Sequence, residues 1–136
     1  MGLIPHAVSL EVIGRRSGKP VALPLVLADY QGERYLVSML GRNAGWVRNV
    51  EAAGGRAVLR HGRREAIKLI EVEPAERPPI VRRYLALAPG ARPHIPVDRR
   101  APVEAFESIA ADIPVFRVVP DTAPDVAPER DSTTKS

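Results

Sequence analysis

The first part of the chain alternates apolar and polar residues with the period of a β-strand. Val8, Leu10 and Val12 alternate with polar positions, which is the pattern of a half-buried strand. The same period resumes after a short turn in residues 21–27, and a third strand is predicted over residues 34–40. These three segments predict an antiparallel meander.

Pro24 lies inside the second predicted strand. Because proline has no N–H to donate to a strand ladder, this strand is expected to lie at a sheet edge or to bulge at Pro24. Such an irregularity is common near the mouth of a barrel.

Helical spacing replaces the alternation after residue 40. Asn43 is a candidate cap for a short helix, and Gly54-Gly55 would end that helix. The remaining predicted elements are strands over 56–61 and 64–73, a helix through 80–88, a helix over 102–111 and a last strand through 115–118. About six strands and two or three helices predict an α+β protein, a small antiparallel barrel with flanking helices.

Composition limits the size and the chemistry of the protein. The chain has 136 residues, 45% of them apolar and 26% charged, which suits one globular domain. It has no cysteine, so disulfides, thiolate nucleophiles and Cys-ligated metals are excluded. The absence of a leader-like or long apolar run favours a cytoplasmic protein that does not span a membrane. We expect a folded domain over residues 1–119 and a disordered tail over 120–136.

The run GRRSGKP, residues 14–20, is the most informative motif. Its two glycines, three fixed positive charges and one hydroxyl suit a tight turn that binds phosphate or carboxylate. From Gly14 to Arg64 the chain has ten Lys or Arg against three acids, and such a field attracts anions. A solvated turn without a ligand is the alternative. A Walker A loop is excluded, because it needs four residues between its glycines and Ser or Thr after the Lys, whereas here three residues separate the glycines and Pro20 follows the Lys.

The sequence contains no convincing catalytic triad or metal motif. His6, His61 and His94 are widely separated and lack metal-ligand spacing. Ser17 has no evident base partner, so it is interpreted as a hydrogen-bonding residue.

Four runs carry a family resemblance over Val8 to Pro120. They are VIGRRSGKP, ERYLVSMLG, GWVRNVEAAGG followed by AVLRHGRR, and IPVFRVVP. In order and spacing they resemble the deazaflavin-dependent nitroreductase family. The resemblance implies a split β-barrel related to flavin-binding barrels, coenzyme F420 as the deazaflavin, and two-electron reduction of organic substrates.

The resemblance also implies which residues bind the coenzyme. Its phosphodiester and oligoglutamate tail require cations and backbone donors, and its ring requires an apolar slot. By similarity, the phosphate and tail are assigned to Arg15, Arg16, Ser17, Gly18 and Lys19. The ring is assigned to the corner Met39-Leu40-Gly41-Arg42 and to Trp46, and Arg48 and Asn49 follow the family's pattern. Two alternatives remain open: Trp46 as a core anchor and Arg48 as a solvated charge.

The chain departs from the family where nitroimidazole-reducing relatives have tyrosines spaced three apart. Ala88, Ala91 and His94 occupy those positions, which implies a wider and less aromatic substrate pocket. His94 is a weak catalytic candidate that could donate a proton or bind a carbonyl, and a surface histidine is the alternative.

The sequence and the resemblance together predict a deazaflavin-dependent oxidoreductase. It would transfer a hydride between the reduced coenzyme and a quinone, enone or nitro compound. The alternative is a non-catalytic carrier of a deazaflavin or of FMN, which is the rival coenzyme. Nucleic acid is not expected as a partner, because one Trp, three Tyr and two Phe offer few stacking platforms. A membrane partner is not expected either, and a homodimer stays open.

Overall fold

The computed structural model describes residues 6–121, and its centre is a ring of six antiparallel strands. The strands are hydrogen-bonded in the order β1-β2-β3-β6-β5-β4, and β4 pairs with β1 to close the barrel. The predicted α+β barrel of about six strands is confirmed. The strands are β1 Ala7–Ile13, β2 Pro20–Tyr30, β3 Glu33–Val37, β4 Arg56–Arg60, β5 Arg64–Glu71 and β6 Val115–Pro120.

The two halves of β2 pair with different strands. Among the described residues, Leu27 to Tyr30 pair with β3, whereas Pro20 to Val26 pair with β1 and have no strand on their other side. The Leu27 N–H donates to the His6 carbonyl with N and O 2.7 Å apart, so even-numbered residues of β2 direct their backbone groups away from β1. Pro20 and Pro24 therefore lack an N–H only on the open side. The edge position predicted for Pro24 is confirmed, without a bulge.

The barrel interior is an apolar cluster to which all six strands contribute. Burial of each such large side chain contributes about 1.5–3 kcal/mol relative to leaving it exposed. The fully buried strand residues of this interior cluster include Leu10, Leu36, Leu59 and Ile67.

The first helix, α1, spans Gly45–Ala52 and packs Val47 and Val50 into this interior cluster. Its N-cap is Ala44, which makes no side-chain capping bond. The prediction of Asn43 as the cap is wrong, because the helix begins one residue later than a cap at Asn43 would require.

The two glycines after α1 end the helix, as predicted. Gly54 and Gly55 both have positive φ angles, 67° and 89°, which glycine adopts without a steric penalty. A Cβ on Gly55 would lie 2.7 Å from the Leu69 carbonyl oxygen. Gly55 therefore allows the end of α1 to approach β5 closely.

The second helix, α2, spans Pro78–Leu87 and packs on the outside of the barrel against β2. Its buried face includes Val81, Tyr84 and Leu85. These side chains meet the fully buried Phe106 in a second apolar cluster.

The helix predicted over 102–111 is wrong. Two short 3₁₀ segments, Val103–Phe106 and Ala110–Asp112, occupy this region. The apolar residues Val103, Phe106 and Ile109 are spaced by three, which matches the 3₁₀ period of 3.0 residues better than the α-helical 3.6.

Arg77, just before α2, is a buried cation that joins several segments. It is 2% exposed, and its guanidinium donates to the carbonyls of Val72, Ala110 and Ile113 at 2.8–3.2 Å. It also pairs with Glu71 at 2.7 Å. Arg77 thereby fixes the start of α2 and the second 3₁₀ segment to the end of β5.

The predicted boundary at residue 119 falls within β6. Pro120 is the last residue of β6, and the Asp121 N–H donates to the Ala66 carbonyl at 3.0 Å. The rest of the expected tail, residues 122–136, lies outside the described residues.

We expect the substitution Glu65→Gln to make stability less sensitive to acid. Arg34 forms two hydrogen bonds with Glu65, each 2.9 Å, and they lower the pKa of Glu65 below its ordinary 4.5. The stabilisation of the folded state by this ion pair is present above pH 4.5 and is lost as the pH falls through the lower pKa that Glu65 has in the folded protein. In urea unfolding, the free energy of unfolding of the variant should be about 1 kcal/mol lower at pH 7 than that of the unsubstituted protein. Between pH 5 and pH 3 it should decline less. Parallel pH profiles for the two proteins would contradict this.

We expect Arg77→Ala to lower the free energy of unfolding by about 3–5 kcal/mol, because the carbonyls of Val72, Ala110 and Ile113 lose their donor and Glu71 keeps only Arg42. Urea unfolding at pH 7 measures this loss. Arg82→Ala on the exposed face of α2 is the control and should change stability by less than about 0.5 kcal/mol.

Candidate functional site

The turn between β1 and β2 is a compact cationic hairpin formed by residues 14–19. The Gly14 N–H donates to the Lys19 carbonyl at 2.8 Å, and the Gly18 N–H donates to the Gly14 carbonyl at 2.9 Å. Gly18 has a φ of 71°, which a residue with a side chain rarely adopts. The Ser17 hydroxyl oxygen accepts from the Lys19 N–H at 3.1 Å, so Ser17 helps to form the turn.

Asn49 of α1 fixes this cationic hairpin to the barrel. Its side-chain oxygen accepts from the Arg15 N–H at 3.0 Å and from the Arg15 guanidinium at 2.8 Å. The same guanidinium lies 3.4 Å from the Gly45 carbonyl oxygen. Asn49 is buried, so it is a positioning residue for the hairpin.

Most of the positive charge at the hairpin is not neutralised by residues 6–121. Arg16 and Lys19 have exposed side chains that form no ion pair with residues 6–121, and the same is true of Arg48 on α1. Arg15 binds a neutral amide and carbonyl, which leaves its charge uncompensated. Four cations are therefore available to an anion at this end of the barrel.

An apolar cavity of about 470 Å³ opens beside α1. One wall is the open half of β2, residues 23–26, and another is the end of α2 with residues 87–91. Met39 and Leu40 form a third wall, and Leu40 is 62% exposed at the surface. A cavity of this size and polarity suits a flat, largely apolar ring.

Trp46 connects the interior cluster with this cavity. Its ring contacts Phe116 edge to face, with centroids 5.7 Å apart and planes at 62°. It also lines the cavity and is only partly buried. The core-anchor and the cavity interpretations of Trp46 are thus compatible.

The cationic hairpin and the cavity meet at the beginning of α1. Gly45, whose carbonyl accepts from Arg15, directly precedes Trp46 in the chain. Neighbouring residues at the start of α1 thus contact the hairpin and line the cavity, an arrangement that suits a ligand with a ring and an anionic extension.

A second cavity of about 420 Å³ adjoins the first and shares Met39 and Leu40 with it. Gly41, His94 and Asp112 also line it. Ala88 and Ala91, which are expected at the substrate pocket, line the first cavity. No group of residues within 6–121 has the arrangement of a metal site.

Arg42 is engaged by two carboxylates. It bonds to Glu51 of α1 at 2.5 Å and to Glu71 of β5, and Glu71 also pairs with Arg77. Glu51, Arg42, Glu71 and Arg77 thus form an ionic chain that holds the turn at residues 39–41. The predicted binding of the coenzyme by Arg42 would compete with these ion pairs.

Sequence reasoning missed several cavity residues. The sequence pattern predicts residues 23–26 only as part of a strand and Tyr84 only as part of a helix core. Pro24 was the available signal for the open strand edge, but a buried helix face gave no sign that Tyr84 lines a cavity.

The comparisons identify the family. The F420H(2)-dependent quinone reductase family matches residues 2–107, and the chain belongs to this family. No curated protein matches the sequence.

Several solved structures share the fold at low sequence identity. The Agrobacterium tumefaciens str. C58 protein Atu2129, of unknown function, is 16% identical with a TM-score of 0.62; the match covers 85% of this chain and 48% of that one, so this chain spans about half its length. An F420-H2 dependent reductase, FDR-A, is 24% identical with a TM-score of 0.53, and the match covers 86% and 96%. A protein described as a domain-swapped dimer is 23% identical with a TM-score of 0.54, covering 88% and 84%. These likenesses support the split-barrel fold.

Family membership confirms the predicted class: the protein is an oxidoreductase, and coenzyme F420 is its cofactor. This favours the oxidoreductase over the carrier and F420 over FMN. The site fits such a coenzyme, because an apolar cavity for a ring adjoins cations for an anionic tail that pair with no acid of residues 6–121. None of the helices described between residues 6 and 121 is long and apolar enough to cross a membrane.

We expect Asn49→Ala to release the hairpin from α1. The Arg15 N–H should then exchange with solvent faster, because it loses the bond to the Asn49 oxygen. Hydrogen–deuterium exchange of the peptide containing Arg15 measures the change. Asn49→Asp keeps an acceptor oxygen and should keep the protection, so equal exchange in both variants would contradict the role of Asn49.

Proposed function

We propose that the protein reduces quinones with a hydride from reduced coenzyme F420. The coenzyme ring would occupy the apolar cavity, and its phosphate and glutamate tail would contact the cationic hairpin. The observation that carries this proposal is the bond between Arg15 and Gly45, which joins the hairpin to the residue that precedes Trp46.

The unpaired cations are proposed to hold the anionic end of the coenzyme. Arg16 and Lys19 lie on the hairpin, and Arg48 lies next to Asn49, which binds Arg15. Charge-assisted hydrogen bonds to phosphate and carboxylate oxygens are roughly twice as strong as neutral ones. Gly18 leaves the backbone of the turn accessible, since a Cβ there would meet nothing within 4 Å.

The cavity walls are proposed to hold the ring and the acceptor in contact. When bound, the coenzyme supplies the hydride, and the protein supplies orientation and a dry environment. Met39, Leu40 and Trp46 would contact the ring, and Gly41 would leave room beside them. Arg42 and Asn49 would act mainly by fixing this turn and the hairpin.

The double substitution Arg16→Ala/Lys19→Ala should weaken coenzyme binding by about 2–4 kcal/mol. Stability should hardly change, because neither side chain makes a bond to residues 6–121. Deazaflavin fluorescence during titration of the purified protein measures the affinity. The salt dependence of binding should also decrease, since fewer charges attract the ligand.

A matched control for this test is Arg63→Ala/Arg82→Ala. Both arginines are exposed and unpaired within the described chain, and the change in net charge is the same. The control should keep wild-type affinity. Equal losses in the two double variants would show that overall charge, and not the hairpin, binds the coenzyme.

His94 is proposed as a further contact of the acceptor, supported by its place in the second cavity, which shares Met39 and Leu40 with the first. A cytoplasmic location remains a prediction. So does a homodimer, which light scattering after size-exclusion chromatography would detect.

A further inference from the structure

Tyr84 carries a buried hydroxyl that has no hydrogen-bond partner in the described chain. The residue is 5% exposed and lines the apolar cavity, and no residue within 6–121 bonds to its hydroxyl. A buried hydroxyl without a partner costs about 1–3 kcal/mol, so native structures rarely leave one unused. The cavity is the place from which a partner can approach.

A comparison with Tyr35 shows that the surroundings of Tyr84 are unusual. Burial raises the pKa of both tyrosines, but the pKa of Tyr35 also responds to the charges of Glu33 and Arg117. The phenol of Tyr35 is thus within reach of charged groups. For Tyr84, burial is the sole cause of the raised pKa. Its hydroxyl therefore stays protonated at neutral pH and is available as a donor.

The cavity offers few other side-chain donors. Among the lining residues within 6–121, only Tyr84 and Trp46 have side chains that can donate a hydrogen bond. Trp46 comes from α1 and Tyr84 from α2. Trp46 is the predicted contact for the ring, which leaves Tyr84 as the side-chain donor for a second molecule in the same cavity.

We propose that the Tyr84 hydroxyl donates a hydrogen bond to a carbonyl oxygen of the quinone acceptor and stabilises the negative charge that develops there. This inference rests on the proposed function and names the residue that binds the carbonyl oxygen of the acceptor. The quinone gains a hydride, with its electron pair, from the reduced coenzyme, which is thereby oxidised. The resulting hydroquinone anion takes one proton from water to give the hydroquinone. A donor aimed at developing charge in a dry site lowers the barrier for this step.

Tyr84→Phe removes the hydroxyl and keeps the ring. Equilibrium dialysis of 1,4-naphthoquinone against the protein, with and without saturating oxidised coenzyme, should show about 3- to 10-fold weaker binding to the variant. Naphthalene, which lacks the carbonyls, should bind both proteins equally. With reduced coenzyme, kcat for 1,4-naphthoquinone should fall by about 10- to 100-fold, while coenzyme affinity stays unchanged.

Two readouts separate this role from a structural one. Tyr84→Phe should leave the melting temperature unchanged or raise it, because it removes an unpartnered polar group. Tyr35→Phe, in the same apolar cluster but outside the cavity, should leave naphthoquinone binding and kcat unchanged.

The proposal is overturned if Tyr84→Phe weakens the binding of naphthoquinone and of naphthalene equally, or if it weakens the binding of neither compound. A clearly lower melting temperature of Tyr84→Phe would also overturn it. Failure of the wild-type protein to bind the deazaflavin would instead refute the proposed function. The dialysis without coenzyme would still test whether Tyr84 binds a carbonyl.

Discussion

The amide oxygen of Asn49 joins the two halves of the candidate site. It holds both the backbone and the guanidinium of Arg15, and Asn49 itself is fixed by its place in α1. Because α1 packs into the barrel interior through Val47 and Val50, the position of the cationic hairpin depends on the core. A neutral acceptor in this role has a second effect: it orients Arg15 without cancelling its charge, as a carboxylate would.

An ionic chain gives the cavity wall a comparable support. Glu71 of β5 receives both Arg42 and Arg77, and Arg42 also reaches Glu51 of α1. The turn that contributes Met39 and Leu40 to both cavities precedes Arg42 directly. Its place is therefore tied to β5, α1 and the start of α2, although Leu40 itself is exposed. Preorganised walls of this kind reduce the cost of ordering a ligand.

The fold could be predicted from the sequence because its strands alternate and its turns contain glycine. The β1–β2 hairpin shows both signals, and Pro24 indicated the open edge. The prediction of a helix over 102–111 is wrong because Val103, Phe106 and Ile109 are spaced by three, which fits the 3₁₀ period and not the α-helical period. The cationic part of the site followed from local sequence. Tyr84 and Glu71 did not, because their roles arise from contacts between elements that are distant in the chain.

The open half of β2 has a consequence for how the protein behaves at high concentration. An unpaired strand edge next to an apolar cavity normally offers a template on which another chain can add a strand. Pro20 and Pro24 remove two of the N–H groups that such an intruding strand would need. This open edge is thereby a poor starting point for aggregation, even though no strand of residues 6–121 pairs with it.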